Sequence, residues 1–283
     1  MDGNAPRLKT AFVLGGGGIL GAHEVGMLRA LAEREIAPDL VLGTSVGAIN
    51  GAMFAADPTV SGVERMTELW QGSALSALTA GAVVRRITTL ARSGTHLESL
   101  AAARARLAAA LPVERIEDLV VPFQCVAASI ERAAEHWFSS GPLADVVLAS
   151  CAVPGILPPV KLGDEHYIDG GIVNSIPVSR AVMLGARRIF VLQVGRLEKP
   201  LQPARRPWEV GLVAFEVARR HRFASDLHSL PEGVELHLMP TGGSAAPAYN
   251  DVPGQLRLRR GAPTVAEQIE LAHEASLRYL REA

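Results

Sequence analysis

One serine, Ser45, lies between Gly43 and Gly47 in the stretch GTSVG. At a sharp turn from a strand into a helix, a nucleophilic residue adopts strained backbone angles, and Cβ atoms two residues to either side would clash. Glycine at both positions removes that clash and is expected to leave the Ser45 hydroxyl exposed at the tip. Because the pattern is short, it also fits a tight turn whose serine caps the next helix.

A run of four glycines, residues 15–18, precedes the serine motif. Glycines between a strand and a helix let backbone N–H groups point at an anion. One candidate anion is a dinucleotide pyrophosphate, since Gly16, Gly18 and Gly21 match G-x-G-x-x-G; the other is the oxyanion of acyl transfer. A dinucleotide site requires an acid at the end of the second strand, whereas Asp39 begins that strand. The pattern favours an oxyanion loop.

An acidic residue that could take the serine proton occurs in the stretch HYIDGGIVNSIP, where Asp169 precedes Gly170 and Gly171. Two glycines permit an abrupt turn, so a carboxylate at the edge of a strand could be aimed at a neighbouring hydroxyl. Taken alone, the triplet fits an ordinary β-turn equally well.

The histidines offer a second candidate base but no metal site. None of the eight belongs to an H-E-x-x-H pair, and we expect neither a metal nor an organic cofactor. His237 would complete the chain order serine, acid, histidine of an α/β-hydrolase triad with Ser45 and Asp169. In the stretch VELHLM, however, His237 alternates with apolar residues, which predicts that it faces the polar side of a strand.

Composition excludes several classes of protein. The chain has 283 residues, of which 48% are hydrophobic, and a formal net charge of −1, so nothing indicates nucleic-acid binding. Its two cysteines form no spaced pair. The most apolar early stretch has 12 residues, whereas a spanning helix needs about 20. We expect a soluble, cytoplasmic protein that could contact a membrane peripherally.

Hydrophobic periodicity predicts strands and helices in alternation, which indicates an α/β fold with a parallel sheet. The predicted strands are 10–14, 39–42, 119–130, 134–140, 187–194 and 234–239, and the predicted helices are 20–34, 46–56, 207–229 and 264–281.

Residues 71–110 form a segment of different character, rich in Ala and Leu and with a local charge of +4. We interpret it as a helical insertion. One hypothesis is that it covers the site and meets an anionic membrane surface, and the alternative is a solvated insertion. Its charged residues are Arg85, Arg86, Arg92, Arg104, Arg106 and Glu98.

Taken together, the glycine loop, the serine elbow and the Asp-Gly-Gly triplet resemble the patatin-like phospholipase family, in which they occur in this order. The flanking stretches GTSVGAING and ASCAVPGILPPV (149–160) are similar to that family as well. The resemblance implies a three-layer α/β/α fold with a mainly parallel central sheet. It also implies an acyl hydrolase domain over residues 10–195, with 196–283 completing the same fold.

The resemblance further implies a Ser–Asp dyad without a catalytic histidine, acting on a phospholipid, glyceride or other acyl ester. Ser45 would be the nucleophile and Asp169 the base. The oxyanion hole would comprise Gly16, Gly17 and Gly18, with the N–H groups around Gly17 and Gly18 as donors and Gly16 shaping the loop. The remaining motif glycines are Gly21, Gly43, Gly47, Gly170 and Gly171.

One position departs from the family pattern. The family's loop usually carries Arg or Lys where this chain has Leu20. Backbone donors survive that change, but a positive charge near the substrate is lost, which favours neutral glycerides or simple esters over anionic phospholipids. A weakly active lipid-binding or regulatory protein on the same scaffold is the alternative.

Overall fold

The computed structural model describes residues 9–72, 98–194, 200–201, 203–204, 207–243 and 263–283. The strands within these ranges are β1 (Thr10–Leu14), β2 (Leu40–Thr44), β3 (Phe123–Ser129), β4 (Ala134–Phe138), β5 (Val160–Leu162), β6 (Glu165–Asp169), β7 (Arg188–Leu192) and β8 (Glu235–Leu238). The helices are α1 (Ala22–Glu33), α2 (Val46–Ala56), α3 (Val60–Gln71), α4 (Leu100–Ala110), α5 (Leu143–Ser150), α6 (Gly171–Asn174), α7 (Val178–Met183), α8 (Pro207–His228) and α9 (Val265–Glu282). Two 3-10 turns cover Gly18–Gly21 and Ile116–Asp118.

All eight strands belong to one sheet, with hydrogen-bonded neighbours in the order β5–β6–β3–β2–β1–β7–β8 and with β4 paired to β3. The pairings from β3 through β2, β1 and β7 to β8 are parallel, whereas β4, β5 and β6 pair antiparallel. In the parallel part, the carboxyl ends of the strands lie along the same side of the sheet, which is where α/β proteins place their ligand sites.

Strand β3 explains how two distant parts of the chain meet. Its residues 125–129 pair with β4 along one edge. Its residues 123–126 pair with β2 and its residues 127–129 with β6, so β2 and β6 must share the other edge. Because β2 and β6 run in opposite directions, their carboxyl ends face each other there: Thr44 is opposite Val126, and Asp169 is opposite Ala127.

Helices cover both faces of the sheet. Alternate residues of β1 point to opposite sides, as the two-residue period of a strand requires. Phe12 and Leu14 pack into the larger core, with α1, α2, α3 and α5, whereas Ala11 and Val13 pack into the smaller core, with α7 and α8. The expected α/β/α layers and mainly parallel sheet are therefore confirmed.

Most predicted elements lie close to the observed ones. The prediction of β1 and α2 agrees at both ends, and α8 begins at Pro207, whose fixed φ suits the first helical position. Within the segment 71–110, residues 73–97 lie outside the described residues. Its last part, α4, contributes Ala103 and Leu107 to the larger core.

Candidate active site

Ser45 occupies the turn between β2 and α2. Its φ of 55° and ψ of −123° are unfavourable for a residue with a Cβ atom. Such strain is retained where the surrounding structure fixes the backbone, and it is common at functional sites. The turn was expected to expose the hydroxyl, but Ser45 is only 9% exposed, because the glycine loop and the end of α5 close around it.

Gly43 and Gly47 stand where no larger residue fits. A Cβ atom on Gly43 would lie 2.5 Å from the Gly47 carbonyl oxygen, and one on Gly47 would lie 2.4 Å from the Leu14 carbonyl oxygen. Helix α2 therefore begins directly against the end of β1. The two glycines allow this close approach, which holds Ser45 next to the glycine loop.

Asp169 ends β6, at the position where β6 meets β2 along the edge of β3. The chain then crosses close above β3, since a Cβ atom on Gly170 would lie 2.2 Å from the Val126 carbonyl oxygen. Ser45 and Asp169, which are far apart in sequence, are thereby brought into contact.

The environment of Asp169 makes its carboxyl group a stronger base than usual. Its side chain is buried, and burial raises its pKa to about 6, although hydrogen bonds from the Ser45 side chain and the Gly171 N–H favour the carboxylate. The Gly171 N–H donates to Oδ1 over 2.7 Å. The other carboxylate oxygen, Oδ2, is buried and has no partner of good hydrogen-bond geometry among the described residues. That oxygen can accept a proton.

The glycine loop touches Ser45 directly. A Cβ atom on Gly16 would lie 3.5 Å from Ser45 Cβ. The Gly16 N–H is engaged, since it donates to the Ser175 carbonyl oxygen over 3.0 Å. The Gly17 N–H has no partner among the described residues, and Gly18 opens a 3-10 turn with a φ of 56°, so its N–H has no intrahelical partner. Two N–H groups that make no such bonds thus directly follow Gly16, the loop residue that contacts Ser45.

The remaining motif glycines are also sites of close approach. A Cβ atom on Gly21 would lie 2.4 Å from Val46 Cγ2, and one on Gly171 would lie 2.9 Å from Asp169 Oδ1. Gly21 therefore lets the 3-10 turn approach Val46, next to Ser45. Gly171 lets the start of α6 approach the Asp169 carboxylate.

The end of α5 holds the backbone of Ser45, a role that the sequence patterns did not reveal. The Ser45 N–H donates to Ser150 Oγ over 2.9 Å, and the Cys151 thiol donates to the Ser45 carbonyl oxygen over 3.1 Å. Burial raises the pKa of Cys151, and the nearby Asp169 raises it further, so the group stays a thiol donor. Both residues lie in the stretch 149–160, which the sequence analysis noted without assigning a role.

His237 lies away from the serine. It is paired in register with Phe190, on which it stacks, and its Nδ1 lies 3.1 Å from the Tyr279 hydroxyl. Strand β8 is separated from β2 by β7 and β1, which is roughly 14 Å at the usual spacing of strands. The structure therefore does not bring His237 to Ser45 and Asp169, and the triad alternative has no geometric support.

Other sequence hypotheses have mixed outcomes. Arg104 pairs with Asp145, and Arg106 pairs with Glu98, so these two arginines of the segment 71–110 are neutralised within the protein. Arg85, Arg86 and Arg92 lie outside the described residues.

In the described part of the chain, no group of three or more His, Cys, Asp or Glu side chains is arranged to hold a metal ion. The helices described there are too short or too polar to cross a bilayer.

Comparison with known proteins identifies relatives of this chain. A family model described as patatin-like phospholipase matches residues 12–182. Patatin-like phospholipase domain-containing protein 7 of Rattus norvegicus is 33% identical over 197 residues, which are 69% of this chain and 14% of the relative. Patatin-like phospholipase domain-containing protein ZK370.4 of Caenorhabditis elegans is 34% identical over 201 residues, 70% of this chain and 14% of the relative.

A fungal relative and a solved structure extend the comparison. Lysophospholipase NTE1 of Mycosarcoma maydis is 28% identical over 204 residues, 68% of this chain and 10% of the relative. These three relatives are much longer proteins, and the chain corresponds to 10–14% of their length. The crystal structure of VipD from Legionella pneumophila aligns with 98% of this chain and 67% of its own, with a TM-score of 0.50 and 15% identity, which indicates a shared fold.

Proposed function

Because the chain belongs to the patatin-like phospholipase family, we propose that it hydrolyses acyl esters of lipids, with Ser45 as nucleophile and Asp169 as general base. The observation that carries this proposal is the buried Oδ2 of Asp169, which has no well-aligned partner in the described chain and belongs to a carboxyl group in contact with Ser45. The names of the relatives, phospholipase and lysophospholipase, support a lipid substrate.

The reaction proceeds through an acyl-enzyme. The Ser45 oxygen attacks the ester carbonyl carbon while Asp169 accepts the hydroxyl proton. The negative oxygen of the tetrahedral intermediate is held by the N–H groups of Gly17 and Gly18. The intermediate collapses, the alcohol leaves with the proton from Asp169, and the acyl group remains on Ser45. A water molecule, deprotonated by Asp169, then attacks the acyl carbonyl carbon. The bond to the Ser45 oxygen breaks, the fatty acid leaves, and Asp169 returns the proton to Ser45.

Substrate preference follows from the charge near the loop. Leu20, in the 3-10 turn Gly18–Gly21, carries no charge, and the resemblance assigns a basic residue to that position. We therefore propose neutral glycerides and single-chain or simple esters as better substrates than diacyl phospholipids with anionic head groups. The whole proteins to which the relatives' names refer contain much more chain than the part matched here.

The proposal is tested by the release of p-nitrophenol from acyl esters of several chain lengths and of fatty acid from a lysophospholipid. We expect Ser45→Ala to abolish activity and Asp169→Asn to lower kcat at least about 100-fold, since general-base catalysis is worth roughly 10²–10⁴. His237→Ala is the control and should keep most of the activity, with the folding of each variant checked by circular dichroism.

Three outcomes would contradict the proposal in different ways. Loss of activity in a folded His237→Ala protein would point to a triad. Full activity in Ser45→Ala would exclude the dyad. A wild-type protein that binds lipid vesicles but cleaves none of these esters would be a lipid-binding or regulatory protein on this scaffold.

A further inference from the structure

A buried arginine lies directly behind the glycine loop. Arg219 is only 2% exposed and belongs to the interior of α8. Its Nη1 donates to the Gly16 carbonyl oxygen over 2.9 Å and to Ser175 Oγ over 3.4 Å. One turn earlier on the same helix, the buried Glu216 forms an ion pair with it, with Nε and Oε2 3.2 Å apart. Residue 219 lies beyond the 12–182 range of the family match.

The contact with Gly16 acts on the neighbouring residue. The Gly16 carbonyl and the Gly17 N–H belong to the same planar peptide group. A charged donor on that oxygen withdraws electron density from the peptide and makes the N–H a stronger donor, because hydrogen bonds in a chain polarise one another. The Gly16 N–H is fixed by the Ser175 carbonyl, so the peptide groups on both sides of Gly16 are held.

Core stability alone does not explain this arrangement. Removing two charges from water has a large desolvation cost, and buried ion pairs can often be replaced by apolar residues without loss of stability. Arg220, one position further along, pairs with the same Glu216 but has no observed contact with the glycine loop. What distinguishes Arg219 is its bond to the loop.

We propose that Arg219 is a positioning residue for ester hydrolysis: its guanidinium fixes and polarises the Gly16–Gly17 peptide so that the Gly17 N–H is ready to receive the oxyanion. The inference rests on the proposed function of Ser45 and Asp169. It also assigns a role to α8, which supplies a guanidinium to the Gly16 carbonyl oxygen, whereas Leu20 in the following 3-10 turn carries no charge.

The test replaces the whole ion pair, because removing Arg219 alone would leave the buried Glu216 with one of its two arginine partners, Arg220. In the double variant Glu216→Leu/Arg219→Met, we expect kcat for a p-nitrophenyl ester to fall about 10- to 50-fold, less than the 10²–10³ typical of a deleted oxyanion donor. KM should change less than threefold, and the melting temperature should stay near that of the wild type. Labelling of Ser45 by a fluorophosphonate, whose phosphoryl oxygen also needs the oxyanion hole, should slow by a similar factor. Arg220→Met is the matched control and should keep wild-type kcat.

A second double variant, Glu216→Gln/Arg219→Gln, decides the matter if the apolar one does not fold. It removes both charges but keeps hydrogen-bonding groups, and kcat and labelling should fall at least about fivefold. Unchanged kcat and labelling in a folded double variant would overturn the role of Arg219 while leaving the proposed function intact. If kcat and the labelling rate fall only in proportion to the fraction of folded protein, Arg219 has a structural role and does not act on the oxyanion hole. A wild-type enzyme without ester hydrolysis or Ser45 labelling would overturn both proposals.

Discussion

At the scale of single residues, the site depends on how Asp169 is balanced between burial and hydrogen bonding. A free aspartate has a pKa near 3.9 and is a weak base toward a serine hydroxyl. Burial raises the pKa of Asp169 to about 6, while the bonds from Ser45 and Gly171 keep it from rising further. The group is therefore ionised at neutral pH and still has a pKa close to the working range, which favours general-base catalysis.

The pH dependence of the reaction follows from this value. We expect kcat/KM for a p-nitrophenyl ester to rise with pH and to reach half its maximum near pH 6, because only the carboxylate form of Asp169 accepts the serine proton. The residual rate of Asp169→Asn should show no such midpoint. A wild-type midpoint near pH 4 would mean that burial does not raise the pKa of the base.

The contribution of Asp169 to the stability of the fold should fall as pH rises, whereas kcat/KM should rise. The pKa of Asp169 is about 6 when folded and about 3.8 when unfolded, so the native state holds the proton more tightly between these values. The contribution of Asp169 to stability is then greatest below pH 4 and is lost as pH rises through 6. At about 1.4 kcal/mol per pKa unit, the penalty at pH 8 reaches about 3 kcal/mol.

Asp169→Asn removes that penalty. We expect urea unfolding to show the variant about 1–3 kcal/mol more stable than the wild type at pH 8, and nearly equal at pH 4. A gain of the same size at both pH values would argue against the ionised carboxylate as its cause.

At the scale of elements, the β2–α2 turn concentrates strain on one residue. Sequence alone identified this turn, because an apolar strand, two glycines and a small-residue helix follow one another within 17 residues, from Leu40 to Ala56. The partner elements were harder to predict. The strand β6 is short and half-buried, and its pairing is decided by the free edge of β3 rather than by its own pattern.

The same limit applies to the residues that support the site. Ser150 acts through the backbone of Ser45, and no local spacing reveals such a contact. The sequence predicted the helix that contains Arg219, over residues 207–229, but not that the fold buries this charged residue. Its role depends on tertiary packing, which the helical period does not specify.

The strain at Ser45 predicts an unusual order of stability. Ser45→Gly and Ser45→Ala both lack the hydroxyl, but only glycine tolerates a φ of 55° without a Cβ penalty. We expect the glycine variant to be about 1 kcal/mol more stable in chemical unfolding. At the exposed Ser61 in α3, the same pair of substitutions should give the reverse order, with alanine favoured by about 1 kcal/mol. If the glycine and alanine variants had the same order of stability at both positions, the backbone of Ser45 would not be strained.

At the scale of the whole molecule, α9 closes the larger core against α1. The two helices approach so closely that a Cβ atom on Gly26 would lie 2.1 Å from the Ile269 carbonyl oxygen. His273 Nε2 lies 2.7 Å from Glu33 Oε2, and Arg29 pairs with Glu270, so charged contacts border the same contact region. The first and the last α-helix of the described residues are thus held against each other.

Gly26→Ala should therefore destabilise the protein by about 1–3 kcal/mol, the usual cost of overpacking. Gly211→Ala, in α8, is the control, because a Cβ atom there meets nothing within 4 Å and alanine is the better helix former. It should be neutral or stabilise by up to about 1 kcal/mol. Urea unfolding measures both, and a neutral Gly26→Ala would mean that the α1–α9 contact is looser than described.

The meeting of β2 and β6 along one edge of β3 also sets when the protein can first act. Ser45 leaves the ribosome long before Asp169, and Arg219 follows later still. At about 5–20 residues per second, the 174 residues from position 46 to Arg219 take roughly 9–35 s to translate. For the first 124 of these residues the nascent chain carries Ser45 without Asp169, so the proposed ester hydrolysis cannot begin before β6 has been synthesised.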